Sequence, residues 1–220
     1  MALVLHPMPP PVPLLSASRP PDGSVVVRAA TSADALGDEE LVRRILAGDS
    51  WAEELLYRRY VRSIWGMVLR LLRNSPDAED VVQDTFATAF RELPRLRDAG
   101  ALRGWLLRIA VRHVHRRLRG RRLRRFLGLE QNEADEVTLE SIAAEGLGVE
   151  ARAELAMIDR VLARVPSEQR IAWLLRHVEG ESLEEVARAC ACSLATVKRR
   201  IAAVDARLQS HVQAGEVSDV

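Results

Sequence analysis

The densest reactive chemistry in the chain lies in residues 101–125, ALRGWLLRIAVRHVHRRLRGRRLRR. From Arg112 to Arg125 there are eight Arg, two His and no acid. Leu102, Leu106, Ala110, Val114 and Leu118 recur every four residues and predict a helix docked on a core. Rotated away from them, Arg108, Arg112, His115, Arg116 and Arg119 form a basic stripe. A merely solvated helix interleaves opposite charges at i, i+4. This one forgoes that support, and the simplest reason is an anionic partner. Arg forks onto phosphate, so a nucleic-acid backbone is favoured over a solvated, membrane-surface or protein-facing stripe.

A second cluster occupies residues 182–207, SLEEVARACACSLATVKRRIAAVDAR. Leu183, Val186, Ala187 and Cys190 form the inner edge of a short helix. A tight turn at Ala191-Cys192-Ser193 follows, with Ser193 as the expected cap of the next helix. There Val197, Ile201, Val204 and Leu208 pack inward, while Ala195, Lys198, Arg199 and Ala202 point out. Small and basic residues on the outward face suit a helix entering a DNA groove, the logic of a helix-turn-helix, although an ordinary helical hairpin has the same periodicity.

Other chemistry is excluded by spacing. Cys190 and Cys192 have no second Cys pair and no suitably spaced His, so they are expected as buried small apolar residues, without a metal. His113 and His115 have no carboxylate placed in sequence to orient them. No acid pair, Ser/His arrangement or Gly-rich phosphate loop is present, which predicts a protein that is not an enzyme and carries no cofactor. PDAEDVVQDTFATAFREL, residues 76–93, places Asp77, Asp80, Gln83, Asp84 and Thr88 on its outward side. That face is either solvated or a docking surface, and periodicity does not choose.

The elements that position these groups are all helical. The 220 residues carry 32 Lys+Arg against 31 Asp+Glu, but this balance hides polarity. Residues 38–125 have twenty basic and twelve acidic side chains, net +8, whereas residues 126–154 have one and eight, net −7. Seven of the ten prolines lie in the first 21 residues, so 1–37 is expected as a disordered leader. Helices are predicted from Asp38 to Gly48 with Asp38 as cap, from Trp51 to Leu72, after Asn74-Ser75-Pro76 with Ser75 as cap, and from Ala101 to Arg125. Residues 126–154 read as a flexible acidic linker. A second helical domain spans 155–212, its last part being two short helices, and 213–220 form a tail. The fold class is all-α, two small domains. No apolar stretch would span a bilayer, and two nearby cysteines make no disulfide framework, so a cytoplasmic location is expected.

Together these segments resemble bacterial RNA polymerase sigma factors of the extracytoplasmic-function (ECF) group. DAEDVVQDTFATAF with LRGWLLRIA resembles the second conserved sigma region, and VPSEQRIAWLLRHVEGESLEEVARACACSLATVKRRI the fourth; the likeness covers residues 38–212. It implies an initiation factor whose partners are core RNA polymerase, promoter DNA and an anti-sigma factor. It implies that Asp77, Asp80, Gln83 and Asp84 dock on the polymerase. Arg103, Trp105, Arg108, Arg112, His115, Arg116 and Arg119 would handle the minus-ten element and its melting. Thr196, Lys198, Arg199 and Arg200 would meet the minus-thirty-five element. Relatives often have a small polar residue at Arg112 and Arg116, and often Gly at Ala191, where an ordinary backbone angle is therefore expected here. The alternative is a regulator that binds an operator through its helix-turn-helix without polymerase.

Overall fold

A computed structural model describes residues 36–129 and 149–218. The leader up to residue 35, linker residues 130–148 and the last two tail residues lie outside the described residues, as do the expectations placed on them. All the regular elements described are helical: α1 (Asp38–Leu46), α2 (Ser50–Leu72), α3 (Ser75–Glu92), α4 (Leu102–Phe126), α5 (Val149–Arg164), α6 (Ser167–His177), α7 (Leu183–Ala189) and α8 (Leu194–Ser218), with 3₁₀ turns at Leu93–Arg95 and Ala99–Ala101.

The first unit is built on α2, α3 and α4, which pack on one another. Leu56, Ile64, Val68, Val82, Phe86, Leu106, Ala110 and Val114 are all at or near full burial, at the four-residue spacing expected of an inward helical face. Tyr57 meets Phe86 edge-on at 4.8 Å. α1 is tied to α2 through Asp38, whose carboxylate accepts from Tyr60 Oη and from Arg59 at 2.9 Å. Asp38 is thus the first helical residue, with Gly37 in the cap position. Burial, and then the Asp38 carboxylate, push the Tyr60 phenol well above its ordinary range.

Between α2 and α3 the chain turns within two residues. Arg73 ends α2 in the left-handed region at φ 56°. Asn74, not Ser75, then caps α3: its Oδ1 accepts from Asp77 N at 2.8 Å, and Pro76 falls in the first turn.

In the second unit α6, α7 and α8 enclose Ile171, Leu174, Leu175, Val186, Val197 and Val204. Trp173 stacks on His177 and donates from Nε1 to Asp205 Oδ1 at 2.8 Å. α7 opens with a capping box in which Ser182 Oγ accepts from Glu185 N and the Glu185 carboxylate accepts from Ser182 N. Those bonds hold the Glu185 carboxyl below its ordinary value. The final helix is not short: no Gly or Pro interrupts it before Gly215, and it runs 25 residues.

Candidate nucleic-acid interface

α4 carries two sets of cations. Asp77 on α3 is almost fully buried, and its carboxylate accepts from Arg117 and Arg121, while Arg121 also donates to Leu72 O at 3.2 Å. These two Arg bolt α4 to α3 and to the end of α2. Asp77 therefore does not lie on the outward acidic face. Thr88 is inside as well, 3.1 Å from His113 Nε2. Arg116 donates to His113 Nδ1 at 2.9 Å, which makes Nδ1 the acceptor and leaves the proton on Nε2, donated to Thr88. Burial and then Arg116 hold His113 below its ordinary pKa, so this is a neutral core histidine despite Asp84 at 3.7 Å. That carboxylate, supplied by the facing helix, was not visible from sequence spacing.

Asp80, Gln83 and Asp84 do share one edge of α3. Asp80 and Asp84 are more than half exposed, with Arg117 at 3.0 Å from Asp80 and Arg116 at 2.6 Å from Asp84. Gln83 reaches back 3.5 Å to Glu79. Arg116, placed in the stripe by periodicity, thus leans toward this acidic edge.

The rest of the stripe turns toward the second unit. Trp105, Arg108, Arg112, His115 and Arg119 line a cavity of about 610 Å³, closed on its far side by Arg188, Cys190 and Ala191 of the helix-turn-helix. Arg103 reaches across to Glu181 and to Glu179 O at 3.4 Å. Arg112 also pairs with Glu92 at 3.3 Å. Burial, then Arg188 nearby, lower the Arg108 pKa, a sign of crowded positive charge; burial keeps His115 neutral more strongly than Glu168 opposes it. Arg188, Cys190 and Ala191 were not singled out as facing α4. Nothing in the sequence marks that contact, because it joins elements some eighty residues apart.

In the helix-turn-helix, Ser193 Oγ accepts from Thr196 N at 3.2 Å and caps α8 as expected. Lys198 and Arg199 are exposed beside Ala195 and Ala202, while Val197, Ile201 and Val204 are buried. Arg200 instead folds over the turn, 3.5 Å from Cys192 Sγ. Ala191 takes φ 49°, the left-handed conformation that the helix-helix turn imposes and that Gly adopts without a Cβ penalty. The expectation of an ordinary angle there is corrected. Cys190 and Cys192 are half-buried against the core rather than fully inside it, and desolvation, then the neighbouring Cys192, push the Cys190 thiol up to about 12. Among the described residues no group of three or more His, Cys, Asp or Glu could hold a metal ion.

A basic helix on one small helical domain and a helix-turn-helix on another define a protein of the DNA-binding class. The comparisons make this specific. Residues 56–124 match Sigma-70 region 2 and residues 155–204 match Sigma-70, region 4. The chain is 32% identical to the RNA polymerase sigma-H factor of Pseudomonas aeruginosa over 182 residues, 78% of this chain and 94% of that one. It is 32% identical to the ECF RNA polymerase sigma-E factor of Escherichia coli K12 over 189 residues, 81% and 95% of the two chains. Among solved structures it is similar to the sigma factor RpoE in complex with the anti-sigma factor NepR from Bartonella quintana, with TM-score 0.57 and 23% identity over 73% of this chain and 96% of that one. It is also similar to CnrH in complex with the cytosolic domain of CnrY, with TM-score 0.56 and 25% identity over 80% and 97%. The chain belongs to the ECF-type RNA polymerase sigma factors. It binds core RNA polymerase and directs it to promoters, without being an enzyme itself. Among the described residues no helix is long and apolar enough to cross a membrane.

Proposed function

We propose the following division of labour within this sigma factor. The Asp80–Gln83–Asp84 edge of α3 docks on the polymerase. Arg103, Trp105, Arg108, Arg112, His115 and Arg119 handle the minus-ten strand, Trp105 offering a stacking face for an unpaired base and the guanidiniums taking phosphates. Arg116, already drawn to Asp84, contributes at the border of the two surfaces. Thr196, Lys198 and Arg199 read the minus-thirty-five duplex, with Arg200 in a supporting position over the turn. An anti-sigma factor, the kind of partner seen with RpoE and CnrH, holds the chain inactive.

The observation that carries this reading is the separation of surfaces. The acid edge lies on α3, the cationic cavity wall on α4 and the outward cations on α8. Melting costs about 1.4 kcal/mol in stacking per base-pair step, and capture of an extruded base with its phosphates offsets part of that cost. An operator-binding regulator would leave the acid edge without a purpose. The test replaces Asp80 and Asp84 with Arg and measures co-purification with core polymerase and run-off transcription. Loss of both, with DNA binding through α8 retained, is expected; wild-type polymerase affinity would refute the docking assignment.

A further inference from the structure

The cavity between α4 and the turn of the helix-turn-helix holds more positive charge than its own acids balance. Ion pairs of Arg73 with Asp159 at 2.8 Å and of Arg70 with Glu179 tie together the units that supply its walls. Four guanidiniums line it, Arg108, Arg112 and Arg119 from α4 and Arg188 from α7. Arg112 is matched by Glu92 at 3.3 Å, and the other lining acid, Glu168, is taken by Arg122 at 3.6 Å. Arg108 and Arg119 have no ion pair among the described residues. The only one Arg188 makes there is with Glu185 of its own helix, at 3.9 Å. Burial and then repulsion from Arg188 lower the Arg108 pKa, so these two cations, one from each unit, face each other across the gap. An anion placed between them relieves that repulsion and gains charge-assisted hydrogen bonds to both.

The rest of the lining narrows the ligand. Trp105, Ile109, Ala189 and Ala191 give the cavity an apolar wall, with the half-buried indole one helical turn before Arg108. His115, kept neutral by burial, has its Nε2 buried without a hydrogen-bond partner among the described residues, so a polar atom of a ligand has a place to meet it. The volume of about 610 Å³ is that of a small-molecule site. Inorganic phosphate would leave the apolar wall unused. A singly charged apolar acid would leave most of the cations unmatched. A planar base carrying two or more phosphate charges uses both.

We propose that this cavity is a binding site for a free nucleoside diphosphate, with the phosphates between Arg108 and Arg188 and the base against Trp105. Arg188 is the residue that separates this site from the DNA surfaces, since it lies on α7 and takes no part in the DNA contacts proposed above. A bound nucleotide withholds Arg108 and Trp105 from the minus-ten strand, so its concentration sets how much of the chain can engage a promoter. That regulatory consequence rests on the assignment of α4 proposed above; the nucleotide site itself does not.

The full chain is dialysed to equilibrium against ADP and GDP, with inorganic pyrophosphate as the control that lacks a base and mixed-sequence single-stranded DNA as competitor. Arg188 is exposed, so Arg188→Ala keeps the fold. One nucleotide per chain is expected, with pyrophosphate weaker than ADP and Arg188→Ala weakening the nucleotides about tenfold through loss of a charged hydrogen bond. Run-off transcription by polymerase carrying the Arg188→Ala chain should match wild type; a fall would put Arg188 on DNA and refute its assignment to a separate ligand. No saturable binding, or nucleotide binding unchanged in Arg188→Ala, would overturn the site. Pyrophosphate binding as tightly as ADP would overturn the nucleoside as its ligand. Binding that depends on Arg188 but is not displaced by single-stranded DNA would uphold the site and overturn the DNA assignment of α4.

Discussion

α4 and α8 are both basic helices on a DNA-handling protein, yet they hold their charge in different ways. On α4 the cations are enmeshed. Arg117 and Arg121 close on the buried Asp77, Arg116 leans on Asp84, and Arg103 and Arg108 face the second unit. On α8, Lys198 and Arg199 stand in solvent beside alanines, and the helix is held from its other face by Val197, Ile201 and Val204 and by the Trp173–Asp205 hydrogen bond. The difference separates two uses of arginine. In the first, charge is part of the fold and of the contact between units; in the second, it stands in solvent, where DNA is proposed to meet it. Substitutions on α4 should therefore mix stability with function, and those on α8 should not.

The largest expected effect breaks the first half of that contrast. Asp77→Ala leaves Arg117 and Arg121 without their shared buried partner and should cost about 3–5 kcal/mol in chemical denaturation. Lys198→Ala should stay within about 0.5 kcal/mol of wild type in the same experiment. On DNA the order reverses. Lys198→Ala or Arg199→Ala in the polymerase-bound state should lose about 1–3 kcal/mol where the side chain reads a base. Where it only touches phosphate, the loss should be sequence-independent, and the slope of log K against log salt should fall by about 0.9. A smaller gain is expected from Ala191→Gly. Relief of the left-handed Cβ, about 1–2 kcal/mol, is partly offset by the entropy of glycine, leaving about 0.5–1 kcal/mol of added stability in a thermal melt.

The smallest effect is on pH dependence. Burial lowers the folded-state pKa of His113, beside Arg116, Asp84, Arg112 and Glu92, and of His115, beside Glu168, Arg119 and Arg200. Below the ordinary value of 6.5 the unfolded chain then binds more protons than the folded one. The stability these histidines contribute is complete above 6.5 and is lost as pH falls toward their folded values. A His113→Gln, His115→Gln double variant should flatten the fall in melting temperature between about pH 7 and 5.

What could be read from sequence follows from the range of the forces involved. α3 and α4 were legible because apolar residues at four-residue spacing have one helical solution, and Ser193 was legible because capping is local. Asp77 was misassigned because a helical wheel does not show that Arg117 and Arg121, forty residues on, will enclose it. Ala191 was misassigned because its left-handed angle is imposed by how α7 meets α8, and a Gly that would have announced it is absent. Arg73–Asp159, Arg70–Glu179 and Arg103–Glu181 join residues too distant for any local pattern, so the closure of the two units was invisible. Those contacts turn the cationic wall of α4 toward Arg188, Cys190 and Ala191 of the second unit, while Lys198 and Arg199 of α8 stay in solvent.

That contrast is tested most directly by the distance between the units. Donor and acceptor dyes would be placed on Arg58→Cys in α2 and Gln209→Cys in α8, both exposed positions, with Cys190 and Cys192 replaced by Ala. Energy transfer would be measured for the free chain and again with core RNA polymerase. High transfer in the free chain that falls on binding polymerase is the predicted result. Equal transfer in the two states would contradict the account, since the cationic wall of α4 would then remain covered in the complex proposed to use it.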